Sequence, residues 1–207
     1  MVSSFNLYDV EGKVLERSYE FRPLGVVTDA GDFLEVNHQR ESEYLDSDFE
    51  IFEDVVIPEG WYEARRWEVE LETSESRPIA GFLSANTGDF YTGDKQTLEL
   101  GAKLKATRQI ALSGSLTRNW ITLPEGKFRT TEVACWLNYN FSTTAFSRLF
   151  VQYNSEDKEA ILNVRIHLIP KARSHICLVY DETIETEGHI STVNGVGMIK
   201  LSYNDNL

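Results

Sequence analysis

Residues 96–120, QTLELGAKLKATRQIALSGSLTRNW, decide the fold. Leu98, Leu100, Ala102, Leu104 and Ala106 alternate with Thr97, Glu99, Gly101, Lys103 and Lys105. After Thr107 and Arg108 the pattern resumes: Ile110, Leu112, Gly114 and Leu116 alternate with Ala111, Ser113, Ser115 and Thr117. In an extended chain successive side chains point to opposite faces, so a period of two gives one apolar and one polar face. The two runs, joined by a few polar residues, read as neighbouring antiparallel strands.

The same alternation spreads in both directions. C-terminally it continues through Val133, Cys135, Leu137, Tyr139 and Phe141, then Leu149, Val151 and Tyr153, then Ala160, Leu162, Val164, Ile166 and Leu168. Ile176, Leu178 and Tyr180, then Ile199, Leu201 and Tyr203, complete it. N-terminally the runs are longer and more polar. Strands are expected at 4–10, 13–28, 33–44, 61–73, 78–90, 96–106, 109–120, 129–141, 145–154, 158–168, 174–181 and 193–203. Helical periodicity is hard to find. The fold class is therefore all-β: an antiparallel up-and-down meander of about 10–12 long strands. Most of these strands exceed the five or six residues usual in soluble sheets and match the roughly 9–11 that a tilted strand needs to cross a bilayer. The reading is a complete or partial outer-membrane-type β-barrel, forming a single domain over 1–207 or the C-terminal barrel fragment of a longer chain.

Charge sharpens this. The 207 residues carry 20 Lys and Arg against 33 Asp and Glu, a net of −13. Such a balance opposes a phosphate backbone as partner, and no nucleic acid is expected. Residues 1–94 hold 22 acids and 7 bases, whereas 95–207 hold 11 and 13. A mean hydropathy of −0.32 and the lack of a long apolar run exclude a transmembrane helix but not a membrane barrel. Three connections, 45–60, 121–128 and 182–192, read as long loops at one end of the meander. Long loops at one end and short turns at the other mark outer-membrane barrels. The 45–60 segment, LDSDFEIFEDVVIPEG, has six acids and no base, and reads as a solvated loop facing the exterior.

Several motifs carry a resemblance. IPEGWY at 57–62, GDFYTG at 88–93, TLPEGKFRT at 122–130, LFVQYNS at 149–155 and CLVYDE at 177–182 occur together in this order. The chain resembles the C-terminal, TonB-receptor-like outer-membrane β-barrel segment of a bacterial family of uncharacterised function. In that family an N-terminal carbohydrate-binding, family-9-like β-sandwich precedes the barrel. The resemblance spans at least 49–203. It implies a non-enzymatic barrel segment, structural or transport- and pore-related, with outer-membrane lipid as a partner, carbohydrate as a further one, and a missing N-terminal part of a longer chain. It departs from the family in lacking the sandwich and in ending YNDNL rather than on an aromatic residue. Residues 1–10, MVSSFNLYDV, have neither the basic nor the apolar region of an export signal. A cytoplasmic location follows if Met1 is the natural start, and the outer membrane if the chain is part of a longer one. The alternatives are a soluble β-sheet module that binds carbohydrate or lipid, or a truncated gene product without independent function.

Candidate site residues follow from the two faces. Glu99, Lys103, Glu132, Asn138, Arg148, Gln152, Asn163 and Arg165 are expected on the polar face, lining an aqueous lumen. Trp61, Tyr62, Tyr91 and Trp120 are candidates for stacking on glycans. As a girdle at the membrane interface, the aromatic residues near strand ends are Tyr91, Trp120, Tyr139, Phe141, Tyr153, Tyr180 and Tyr203. No catalytic residue is assigned: nucleophile-elbow and phosphate-loop motifs are absent. No metal or cofactor is expected. His38, His167, His175 and His189 lack ligand spacing, although His167 and His175 flank one turn and two ligands make no zinc site. Cys135 and Cys177 have opposite parity and are not expected to bridge.

Overall fold

The computed structural model describes residues 2–10, 13–171, 174–188 and 190–203, with side chains described at 15–171, 174–188 and 190–202. The strands are β1 (Val2–Val10), β2 (Lys13–Val27), β3 (Phe33–Leu45), β4 (Phe49–Phe52), β5 (Val55–Ile57), β6 (Gly60–Glu72) and β7 (Ile79–Phe90). They continue with β8 (Gly93–Lys105), β9 (Ile110–Thr122), β10 (Lys127–Asn140), β11 (Ala145–Asn154), β12 (Glu159–Lys171), β13 (Ser174–Glu185) and β14 (Ser191–Tyr203). Twelve of them form one sheet in the order β1-β2-β3-β6-β7-β8-β9-β10-β11-β12-β13-β14, and β4 and β5 form a separate hairpin. Apart from that hairpin, every strand lies beside its neighbours in sequence, so the fold is the expected antiparallel meander. Among the described residues β1 and β14 are the terminal strands of the sheet. Pro23 and Pro170, which cannot donate to a ladder, fall in the register shifts between Phe21 and Leu24 and between Leu168 and Lys171.

By contacts the chain divides into two compact units: Met1–Ser74, Gly81–Leu100 and Thr117–Thr130 in the first, Glu75–Ala80, Gly101–Leu116 and Thr131–Leu207 in the second.

In the first unit register fixes the two faces. Glu35 pairs with Glu70, Asn37 with Glu68, Gln39 with Arg66 and Glu41 with Ala64 across β3 and β6. Leu34, Val36, Trp67, Val69 and Leu71 point the other way. The polar face is the covered one: Glu35 is 4% and Asn37 3% exposed, whereas Trp67 is 50% and Leu71 46% exposed. A half-buried sheet of a water-soluble protein has the opposite arrangement. The second unit continues the alternation, but its polar face is open: Arg148 and Arg165 are exposed, and Leu137, Leu149 and Val164 half-buried. Asn138, Arg148, Arg165 and Val179 are successive register partners on its polar face. Leu137, Leu149, Val164 and Tyr180 share the apolar one.

Two expectations are corrected. First, long and short connections do not segregate cleanly. β9, β10, β13 and β14 run further than expected and absorb much of 121–128 and 182–192. Connections 28–32, 73–78, 106–109 and 141–144 are no shorter than most at the other end, and only 46–59 is long. The turn at 172–173 lies outside the described residues. Second, the acidic 45–60 segment is not a solvated loop. Its apolar residues pair Phe49 with Ile57 and Phe52 with Val55, and Ile57 is fully buried. Six acids had masked an amphipathic hairpin.

Gly88 and Gly93 bracket the turn of GDFYTG for a steric reason. A Cβ on Gly88 would lie 2.1 Å from the Arg65 carbonyl oxygen, and one on Gly93 2.1 Å from that of Thr122. Neither backbone atom can yield without moving its strand. Gly88→Ala and Gly93→Ala are each expected to destabilise the chain by about 2 kcal/mol or more, in the range of backbone-strain mutations. Gly197, with nothing within 4 Å of the position its Cβ would take, serves as control: Gly197→Ala is expected to be neutral or slightly stabilising. Urea unfolding of the three variants checks this.

Candidate functional site

Two constellations on the polar face stand out, one in each unit. In the first, the β4–β5 hairpin packs on the strands that carry three of the sequence motifs. Val55, Ile57, Ile121 and Leu123 form a buried apolar cluster, with Tyr62, Phe90, Tyr91 and Phe128 packed around it. Phe52 stacks on Phe128 at 4.3 Å, and Tyr62 meets Tyr91 edge-on at 5.3 Å. Ile57 and Tyr62 come from IPEGWY, Phe90 and Tyr91 from GDFYTG, and Leu123 and Phe128 from TLPEGKFRT. Gly126 leaves room for the hairpin, since a Cβ there would meet a Val55 methyl at 2.7 Å. The Tyr62 hydroxyl donates to the Pro58 carbonyl at 2.7 Å, and the Glu59 amide donates to Asp48 at 3.0 Å. Because Tyr62 follows the parity of Ala64 and Arg66, the hairpin lies against the polar face, not the apolar one.

Below the hairpin runs a ladder of acids and their partners. Arg22 Nε lies 2.8 Å from Glu35 Oε2 and donates to Asn37 Oδ1 at 3.0 Å, while Asn37 Nδ2 donates to Glu35 Oε1 at 2.6 Å. Arg66 pairs with Glu41 at 2.9 Å, and Gln39 donates to Glu68 at 3.2 Å. A carboxylate out of water requires such partners. Glu99 joins Glu70 and Glu72 around a smaller recess.

The second constellation is basic and aromatic. A recess of about 790 Å³ is lined by Lys103, Trp136, Asn138, Arg148, Asn163 and Arg165, among others. Trp136 stacks on Phe150 at 5.2 Å. Lys103 Nζ donates to Glu75 Oε2 at 2.8 Å, and the Asn163 amide donates to Asp181.

Of the eight polar residues expected on this face, Lys103, Asn138, Arg148, Asn163 and Arg165 converge on the second recess. Glu99 lies with the acids of the first unit, and Glu132 and Gln152 stand on other rungs, opposite Asn154 and Ala134. The four glycan-stacking candidates do not converge. Tyr62 and Tyr91 join the hairpin cluster. Trp61 and Trp120 lie on the opposite face, under the guanidinium groups of Arg17 and Arg118 at 5.3 and 5.4 Å. Tyr203 as a girdle residue and His189 lie outside the described side chains. Cys135 and Cys177 are free thiols, Cys135 in the β10 row that faces away from the polar side. His167 stacks on Phe146 at 4.7 Å and lies 3.8 Å from Cys177 Sγ. Among the described residues no group of three His, Cys, Asp or Glu is arranged to hold a metal ion.

Sequence reading missed Trp136, Phe150 and Asp181, and the whole ladder of the first unit. In β3 the odd positions Glu35, Asn37, Gln39, Glu41 and Glu43 keep the period, but His38, Arg40 and Ser42 opposite them are polar too. That hides the alternation.

No protein-family model matches the chain, and no curated protein matches it. Among solved structures, the NanC porin in a rhombohedral crystal form is similar with a TM-score of 0.43 at 9% identity, over 91% of this chain and 92% of that one.

Tyr91 sits in the two-residue turn between β7 and β8 with φ of 49°. Burial, then the Glu43 carboxylate to which its hydroxyl donates at 3.3 Å, pushes its pKa from 10.0 up to about 12. Below pH 10 the phenol is neutral in the folded and unfolded chain alike. Above it the unfolded chain ionises first, so native stability is lost as pH rises from 10 towards 12. A spectrophotometric tyrosine titration is expected to show a late-ionising class that shrinks by one residue in Tyr91→Phe.

Proposed function

We propose that this chain is a membrane-spanning β-barrel segment of the bacterial outer membrane, non-enzymatic and structural or pore-related. The observation that carries the reading is the inverted sheet of the first unit: Glu35 and Asn37 are buried while Trp67, Val69 and Leu71 on the other face are exposed. An apolar face turned outward over so many strands is stable against lipid and unfavourable against water.

The outward rows of β6, β8 and β9 support an apolar band with a polar border at the hairpin end. On β8 it runs Asp94, Gln96, then Leu98, Leu100, Ala102 and Leu104. On β9 it runs Ile110, Leu112, Gly114 and Leu116, then Arg118 and Trp120. On β6 it runs Glu63 and Arg65, then Trp67, Val69 and Leu71. Each row is apolar away from the hairpin end and polar towards it. Trp67 stands on the hairpin side of the β6 stretch, where an interfacial girdle belongs. Strands that outrun the band at the hairpin end support an orientation with 46–59 on the exterior, since the longer loops of such barrels face outward. Among the described residues no helix is long and apolar enough to cross a membrane.

The family resemblance adds the expectation of a longer chain with a carbohydrate-binding domain. The meeting of IPEGWY, GDFYTG and TLPEGKFRT around one hairpin supplies a packing reason for those motifs to occur together.

The reading is tested by a charge on the outward row. Leu100→Arg is expected to cost about 2–4 kcal/mol if the site faces the bilayer midplane, and within about 0.5 kcal/mol if it faces water. Wild type is expected in outer-membrane fractions, with heat-modifiable migration on a gel. Recovery as a soluble monomer without detergent, together with a neutral Leu100→Arg, would overturn the proposal.

A further inference from the structure

Arg148 and Arg165 are register partners across β11 and β12, both on the polar face. Directly opposed residues of this kind have Cβ atoms about 4.5–5.5 Å apart, and like charges there are destabilising. Among the described residues neither guanidinium has an ion-pair or hydrogen-bond partner. The nearby charges do not compensate them. Lys103 adds a third cation and is held by Glu75 at 2.8 Å. Asp181, the acid of the recess, is opposite Asn163 and accepts its amide. Asn138 is the β10 partner of Arg148, and the stacked pair Trp136 and Phe150 is the next rung.

We propose that the Arg148–Arg165 pair binds the oxyanion, carboxylate or phosphate, of a small solute within the barrel. This deepens the reading of the chain as a barrel and rests on it for the aqueous setting of the polar face. Two adjacent guanidinium forks match the geometry of an oxyanion. An anion there converts a repulsive pair into two attractive ones. The Asn138 amide supplies a neutral donor, and the Trp136–Phe150 wall takes the apolar part of the solute. A lipid headgroup is not the source, because the pair faces away from the apolar band. The acidic ladder of the first unit makes the local character of this site specific: the excess negative charge of the chain lies elsewhere on the polar face.

The test uses the full chain folded in detergent micelles in chloride buffer of constant ionic strength. Acetate, benzoate and inorganic phosphate are titrated separately, following tryptophan fluorescence and thermal midpoint. A saturable fluorescence change with a raised midpoint is expected for at least one anion, and which one responds separates a carboxylate from a phosphate source. Trp136→Phe is expected to lose most of the fluorescence change yet keep the stabilisation. Arg148→Gln is expected to weaken binding about tenfold to a hundredfold, the loss of a charge-assisted hydrogen bond. Without anion it is expected to melt no lower than wild type, because the repulsion is gone; a purely structural arginine would lower the midpoint instead. Arg148→Lys, which keeps charge but not the fork, is expected to fall between. Flat titrations with all three anions, or wild-type affinity in Arg148→Gln, would overturn the proposal. Heat-modifiable migration is measured on the same preparation. A chain that shows it and binds no anion sinks the site alone, and a chain that stays soluble in water and still binds sinks the barrel reading alone.

Discussion

Covering Glu35 with Arg22 and Asn37 is the constraint on which the first unit depends. A carboxylate 4% exposed persists as a charge only with partners at hydrogen-bond distance, and here they come from the neighbouring strand and from two residues along its own. These bonds tie β2 to β3, and Gln39–Glu68 and Arg66–Glu41 join the same row of β3 to β6, in the register that turns Trp67, Val69 and Leu71 to the other face. A slip of one residue would exchange the faces. It would bury the rings and leucines and expose the acids, which water would favour. The covered polar network and the exposed apolar row of the first unit are the arrangement on which the proposed membrane setting rests.

The charge imbalance has a location in the fold. The acids of the N-terminal half fall into the hairpin at 46–59, the polar row of β3 and the facing row of β6. Basic residues of the C-terminal half gather on the polar rows of β8, β11 and β12. An average over the chain hides both. In the first unit Glu35, Glu41, Glu43 and Glu68 are engaged with Arg22, Arg66, Asn37, Gln39 and Tyr91, whereas the two arginines of the second face one another.

Much of this was legible from alternation. The strand pattern between 96 and 168 placed every apolar row correctly, because the period of two is a property of the extended backbone and needs no partner. Lys103, Asn138, Arg148, Asn163 and Arg165 were assigned to the polar face for the same reason. The hairpin was not legible. Its apolar positions, Ile51, Phe52, Val55 and Ile57, lie among six acids, and only the neighbouring aromatic residues of β6, β7 and β10 show that Val55 and Ile57 are buried and Ile51 and Phe52 partly so. The loop lengths misled because strand ends carry polar outward residues, such as Lys127 and Glu182, that look like loop in a one-dimensional reading.

Alternation and short connections are enough to set the all-β class, about 10–12 antiparallel strands in succession and, between 96 and 168, the composition of each face, since these depend on local geometry. Which face is covered, where the hairpin docks and that Arg148 stands opposite Arg165 emerge only from the folded chain. Those depend on register, and register is set by contacts between residues far apart in the chain, which no single stretch of sequence contains.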